Sequence, residues 1–138
     1  MVHVPPHVIS QLLSHAAIIK LSLAKSFDLN TFQFLALMLV GTTTGLSIKK
    51  LRGNLSIPGS TLTSTLDSLE RKKLIRRQRS KEDRRQWLLS LSAKGERLYK
   101  EILGAEYDVL SPALSRLTES ERAAFIKLAE EISKPALE

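Results

Sequence analysis

The sequence predicts a mainly α-helical fold with one small β-hairpin, on three observations. Apolar residues recur at helical spacing over most of the 138 residues. Between Leu74 and Leu91 that period gives way to strand-like alternation. Capping and turn residues, rather than a low-complexity linker, separate the segments, and no internal repeat is present. At 43% hydrophobic residues the chain is long enough to bury a core without a disulfide or a metal. It contains no cysteine, which excludes disulfide scaffolds, cysteine zinc sites and thiol catalysis.

Pro5-Pro6 suits the start of a first helix, because the fixed φ of proline matches a first turn. Val8, Ile9, Leu12, Leu13, Ala16, Ala17, Ile19 and Leu23 form its apolar stripe, widened by Ile18 and Leu21. A stripe this broad needs cover on more than one side, which a second subunit would supply. A second helix is expected from Asn30 or Thr31 to Val40, capped by the polar residue and ended by Gly41–Gly45. A short helix follows from Leu46 or Ser47 to Gly53, burying Leu46, Ile48 and Leu51. Asn54–Ser56 reads as a turn in which Ser56 caps the next helix, begun by Pro58 and running to about Lys72. Leu62, Leu66 and Leu69 lie within about 60° on that helix, opposite Ser60, Ser64, Asp67 and Arg71.

Leu74–Arg79 and Trp87–Leu91 then read as two short strands around a polar tip. Ser92 is placed to cap a long helix through Tyr99, Ile102, Leu103 and Tyr107, which Ser111-Pro112 should break or kink near Leu110. Thr118-x-x-Glu121 is a capping box for a last helix carrying Phe125, Leu128, Ala129 and Ile132. The expected organisation is one domain over 1–138: a lobe at about 30–92, with helical segments at 5–26 and 93–138 that make a dimer.

The net charge of +7 is concentrated. Lys49–Arg85 holds 12 basic and four acidic residues, a net +8, and the rest of the chain sums to −1. Two short helices joined by a tight turn and followed by a basic hairpin form a winged helix-turn-helix pattern, so the polyanion this segment suits is double-stranded DNA. The second of these helices presents Ser60, Thr61, Thr63 and Ser64 as the recognition face, with short hydroxyls for phosphates or base edges and methyls for thymine. No Arg or Lys occupies its first three turns, which shifts weight to phosphate contacts and DNA shape. Arg79, Lys81, Arg84 and Arg85 form a wing with the reach for a narrow minor groove, and Lys49, Lys50, Arg76 and Arg77 are the expected phosphate contacts.

These residues also carry a family resemblance. Asp83-x-Arg85 followed after five residues by Leu91-Ser92-x-x-Gly95 resembles the wing motif of the MarR family of transcriptional regulators. Ile57–Leu62 and Leu69-Glu70-x-x-x-Leu74-Ile75-x-Arg77 resemble the two ends of its recognition helix. The resemblance implies a homodimer on a pseudopalindromic operator, usually a repressor released by a small-molecule effector. It implies that Asp83 holds Arg85 by a charge-assisted bond while Arg85 enters the minor groove. Three departures stand out: Ser92 for threonine, a bulky Trp87 on the outgoing strand, and Lys73 where the family has glycine before the Leu-Ile pair. The absence of cysteine excludes the peroxide-sensing mode of some members.

Other classes find little support. His3 and His7 have metal-ligand spacing but straddle Pro5-Pro6 without a carboxylate or cysteine, so no metal site and no cofactor is expected. His15 is expected at or near the dimer interface, and Trp87, Tyr99 and Tyr107 in the core rather than around a ligand. The best unbroken apolar run, Phe32–Val40, is interrupted by Gln33 and too short to span a membrane. Met1–Ser10 carries no Lys or Arg and does not read as a signal peptide, so a cytoplasmic protein without a membrane partner is expected. No constellation supports an enzyme. The alternative is a winged dimer that coats DNA nonspecifically or binds a protein.

Overall fold

The computed structural model describes residues 4–134. The elements are α1 (Pro6–Ser26), α2 (Thr31–Thr42), β1 (Leu46–Ser47), α3 (Ile48–Leu55), α4 (Gly59–Arg71), β2 (Ile75–Arg79), β3 (Trp87–Leu91), α5 (Ala93–Leu114) and α6 (Glu119–Ser133). The strands form an antiparallel sheet in the order β1-β3-β2. Leu46 faces Leu89 across one ladder and Ile75 faces Leu91 across the other.

Three of the four predicted caps are present. Asn30 and Gln33 exchange hydrogen bonds at the start of α2: the Gln33 N–H donates to Asn30 Oδ1 at 2.9 Å, and the Asn30 N–H to Gln33 Oε1 at 3.0 Å. Ser92 Oγ accepts from the Gly95 N–H at 3.0 Å. Thr118 and Glu121 form the expected box on α6. Each cap satisfies main-chain donors that a first helical turn leaves without partners.

Four boundaries differ from expectation. Leu46 and Ser47 are not helical but pair with β3, and Ser47 caps α3 by accepting from the Lys50 N–H at 3.1 Å. Ser56 does not cap α4; it takes a left-handed conformation (φ 49°) that ends α3, while α4 starts from Pro58 with no side-chain cap. Helix α2 continues through Gly41 to Thr42. Helix α5 runs past Pro112 to Leu114. Proline removes the N–H that would serve the Asp108 carbonyl, and the Ser111 hydroxyl donates to that carbonyl at 3.4 Å, so the helix carries the defect in its last turn.

The junction from α4 to β2 sets the angle at which the hairpin leaves α4. The Leu74 N–H donates to the Leu69 carbonyl and the Lys73 N–H to that of Glu70, the paired bonds of a Schellman ending. Lys73 holds the left-handed position (φ 58°) that glycine would occupy without strain. Helix α5 locks onto the same corner: Ser92 Oγ donates to the Lys73 carbonyl at 2.5 Å, and the Ser92 N–H donates to that of Leu74 at 3.0 Å. A Cβ on Gly95 would stand 1.9 Å from the Leu74 carbonyl oxygen, so only glycine lets α5 start this close to the strand.

The core sits in the lobe. Of the buried hydrophobic side chains, all but Leu23, Ala24 and Ile102 lie between Leu29 and Leu89. Phe34, Leu37, Leu46, Leu51, Leu66, Leu69 and Leu89 are its largest enclosed members. Most of α1 and all of α6 lie outside it, with Leu12, Leu13, Ile18, Ile126, Leu128 and Ile132 exposed. Helix α1 has 21 residues and, by length and composition, is long and apolar enough to cross a membrane. A search for unbroken apolar runs misses this helix, because polar residues such as Ser10-Gln11 and Ser14-His15 interrupt it. The end of α1 is nevertheless committed to protein: Leu23 and Ala24 are buried in the core, and Lys20 pairs with Glu106 of α5 at 3.1 Å.

Candidate nucleic-acid interface

Helix α4 buries Leu62, Thr65, Leu66 and Leu69, which turns Ser60, Thr63 and Ser64 to solvent and leaves Thr61 half-buried. The Thr63 hydroxyl donates to the Gly59 carbonyl at 2.9 Å, and the Ser64 hydroxyl to that of Thr61 at 3.0 Å. Their donors are thus turned into the helix, which leaves hydroxyl lone pairs on two exposed residues. Such a surface admits close approach and accepts hydrogen bonds from base amino groups. Thr65 points inward, its hydroxyl donating to Thr61 O at 2.7 Å.

Asp67 would oppose a polyanion from the same face, and Arg77 of β2 neutralises it. The Arg77 guanidinium hydrogen-bonds Asp67 Oδ1 through one terminal nitrogen. Its Nε lies 2.9 Å from Glu70 Oε2, an ion-pair separation at an angle that makes no hydrogen bond. Arg77 is therefore not the free phosphate contact that the sequence suggests. It is drawn back onto α4, where it ties β2 to that helix. Lys49, Lys50 and Arg76 are exposed. Lys50 lines a cleft of about 480 Å³ with Arg79 and Lys81 of the hairpin.

The hairpin tip is ordered by its own side chains. Ser80 is buried, and its hydroxyl oxygen accepts from the main-chain N–H groups of Glu82 and Asp83 at 3.3 and 3.2 Å. Asp83 Oδ1 accepts from the Arg85 main-chain N–H at 2.9 Å, and Oδ2 from the Gln86 side-chain amide at 3.3 Å. Asp83 thus orients Arg85 through its backbone; among the described residues the two side chains form no ion pair. The bond is charge-assisted, as the resemblance implies, but its donor is the Arg85 main chain and not the guanidinium. A folded turn presents the Arg85 guanidinium outward for a longer reach.

Arg79 is engaged twice. It donates to the Arg84 carbonyl at 2.7 Å, and its guanidinium carbon lies 4.2 Å from the centre of the Trp87 ring, its partner across the ladder. Arg79 and Trp87 brace the neck of the wing, which leaves Lys81, Arg84 and Arg85 as its exposed, unpaired cations among the described residues. The stack escapes sequence reasoning because the pairing of the two positions depends on the length of the tip. Trp87 and Tyr107 are exposed rather than core residues, whereas Tyr99 is half-buried and borders a cleft of about 460 Å³ between the end of α2, β3 and α5.

His15 is exposed on α1, with Nδ1 2.8 Å from the Gln11 carbonyl. His3 lies outside the described residues, so its pairing with His7 is not visible. Among the described residues no group of three or more His, Asp or Glu side chains could hold a metal ion.

Comparisons with known proteins place this geometry. The sequence pattern of the MarR family matches residues 29–87, from the entry of α2 to the first residue of β3. An organic hydroperoxide resistance transcriptional regulator of Bacillus subtilis (strain 168) is 41% identical over 63 residues, 46% of this chain and 43% of the relative. The match thus spans less than half of that relative's length. Among solved structures, a point mutant of MepR from a multidrug-resistant S. aureus clinical isolate is 24% identical, with a TM-score of 0.79 over 98% of this chain and 100% of that one. A MarR transcriptional regulator from Methanosarcina mazei Go1 is 21% identical, with a TM-score of 0.71 over 91% of each chain. At these identities the structures establish a shared fold. The winged lobe, residues 29–87, is thus similar to the MarR family, and the whole chain shares the fold of its solved members.

Proposed function

We propose that the chain is a transcriptional regulator, not an enzyme, that binds double-stranded DNA by sequence. The observation that carries this reading is the sorting of charge on one surface. Arg77 neutralises the acid on the recognition helix, while Lys81, Arg84 and Arg85 stand free on a braced wing beside the hydroxyl face of α4. The working form is a homodimer built from α1, α5 and α6, whose apolar side chains Leu12, Leu103, Leu110 and Leu128 lack cover in one chain. Two recognition helices about 34 Å apart would read a pseudopalindrome with half-sites about 10 bp apart. By family resemblance the dimer is a cytoplasmic repressor released by a small-molecule effector.

Selection from random duplexes followed by salt titration tests the reading. A palindromic consensus and a steep fall of log affinity with log salt are expected, because neutralised phosphates release counterions. A flat dependence would overturn DNA binding. A steep dependence without any consensus would replace operator reading with nonspecific coating. Arg85→Ala should weaken binding by about tenfold or more without changing the unfolding midpoint. Unchanged affinity would remove Arg85 from the interface.

A further inference from the structure

The recognition helix carries no cation in its first three turns, yet one stands beside its first residue. Arg52 belongs to the last turn of α3, and its guanidinium lies over Gly59, the first residue of α4. A Cβ built on Gly59 would be 3.7 Å from Arg52 Cζ and 3.8 and 3.9 Å from its two terminal nitrogens. The guanidinium is therefore held against the α3–α4 corner rather than trailing along α3.

Arg52 is exposed and, among the described residues, makes no ion pair and no side-chain hydrogen bond. No acidic residue stands in the first turn of α4 to neutralise it. Its neighbours on the two helices divide the surface by direction. Ile48, Leu51 and Leu55 hold the inner side of α3, Lys50 faces the cleft beside the wing, and Arg52 faces the start of α4. Arg77 shows what this fold does with a guanidinium used internally: it is paired with Asp67 and Glu70. Arg52 has no such use.

We propose that Arg52 is a DNA-phosphate-binding residue that clamps the backbone where it passes between α3 and the start of the recognition helix. The assignment rests on the DNA-binding reading above and deepens it. The first helix of a helix-turn-helix crosses the backbone while the second enters the groove, so a cation at their corner meets a phosphate rather than a base edge. A planar guanidinium suits two phosphate oxygens at once. Arg52 thus supplies from α3 the cation that α4 lacks, and leaves the short hydroxyl face clear for the bases.

Fluorescence anisotropy of the full-length protein on its selected duplex tests this. Arg52→Ala should lower affinity roughly tenfold, equally for the consensus and for single-base variants of it. It should also reduce the salt slope by about 0.9 for each phosphate that is no longer neutralised. Arg52→Lys should retain the slope. Gly59→Ala, whose added atom makes only ordinary contact, should bind as wild type, while the longer side chain of Gly59→Met should displace the guanidinium and lower affinity. Thermal unfolding by circular dichroism should give the same midpoint for Arg52→Ala and wild type. If Arg52→Ala keeps wild-type affinity and slope on a duplex that wild type binds with steep salt dependence, the clamp is refuted and DNA binding stands. If Arg52→Ala instead relaxes preference at one base pair with the slope unchanged, the residue reads a base and the phosphate assignment fails. A wild-type protein with no salt dependence would refute both readings together.

Discussion

The winged lobe and the helices that flank it are built from the same amphipathic pattern but satisfy it differently. In the lobe, Phe34, Leu37, Leu51, Leu66, Leu69 and Leu89 close on one another within a single chain. In the flanking helices, Leu12, Leu13, Leu110, Phe125 and Leu128 remain uncovered, and α6 has no buried residue at all. Exposed apolar surface this extensive marks an interaction site. The contrast teaches that the lobe's stability is internal, whereas the flanking helices hold apolar surface for a partner, which the proposed function assigns to a second copy.

The most forceful way to break the comparison is to empty the lobe. Phe34→Ala should destabilise the protein by about 3–5 kcal/mol, since it removes a fully enclosed ring and leaves a cavity. Urea unfolding should show this destabilisation at every protein concentration. The matching disruption outside the lobe is Leu128→Glu. It should weaken dimer association by at least about 2 kcal/mol while a monomer's lobe stays folded. Sedimentation velocity should show the shift to one chain, and an unchanged dimer would assign the α6 surface to another partner.

A finer probe addresses the corner between the two regions. Lys73→Gly should stabilise the protein by up to about 1 kcal/mol, because it relieves a left-handed lysine. The gain is limited by the greater freedom of glycine in the unfolded chain, and thermal unfolding measures the difference.

The smallest effect is a pH dependence confined to α6. The Thr118 main-chain N–H, and then its hydroxyl, hold the Glu121 carboxyl below its ordinary value. A lowered carboxyl pKa contributes stability that is complete above the ordinary carboxylate range and is lost as pH falls through the lowered value. The α6 amide signals in NMR should therefore hold to lower pH in wild type than in Thr118→Ala, where Glu121 titrates closer to an ordinary glutamate.

Much of the helical framework is legible because its signals are local. Asn30 with Gln33, Ser92 with Gly95 and Thr118 with Glu121 are three residues apart and act within one turn. The stripe of Leu62, Leu66 and Leu69 marked the inner side of α4 and so the outer face of Ser60, Thr63 and Ser64. What escaped was short or nonlocal. The two residues of β1 are too few to show alternation and exist because β3 pairs with them. Pro112 did not stop α5, because a neighbouring hydroxyl took over the missing donor.

The order of the helices and of the two hairpin strands, the inner face of α4 and the concentration of +8 between Lys49 and Arg85 follow from the amino-acid sequence alone. Which of those cations are free depends on packing between elements. Arg77 and Arg79 read like Arg84 and Arg85 in sequence, but packing brings Asp67 and Glu70 to the first and Trp87 to the second. Arg52 is one of twelve basic residues in that segment, and it becomes distinct only where α3 and α4 meet at Gly59. The physical reason is one of range. Helical period and capping act over three or four residues, whereas the partner that uses up a charge arrives from another element and leaves no mark on the local pattern.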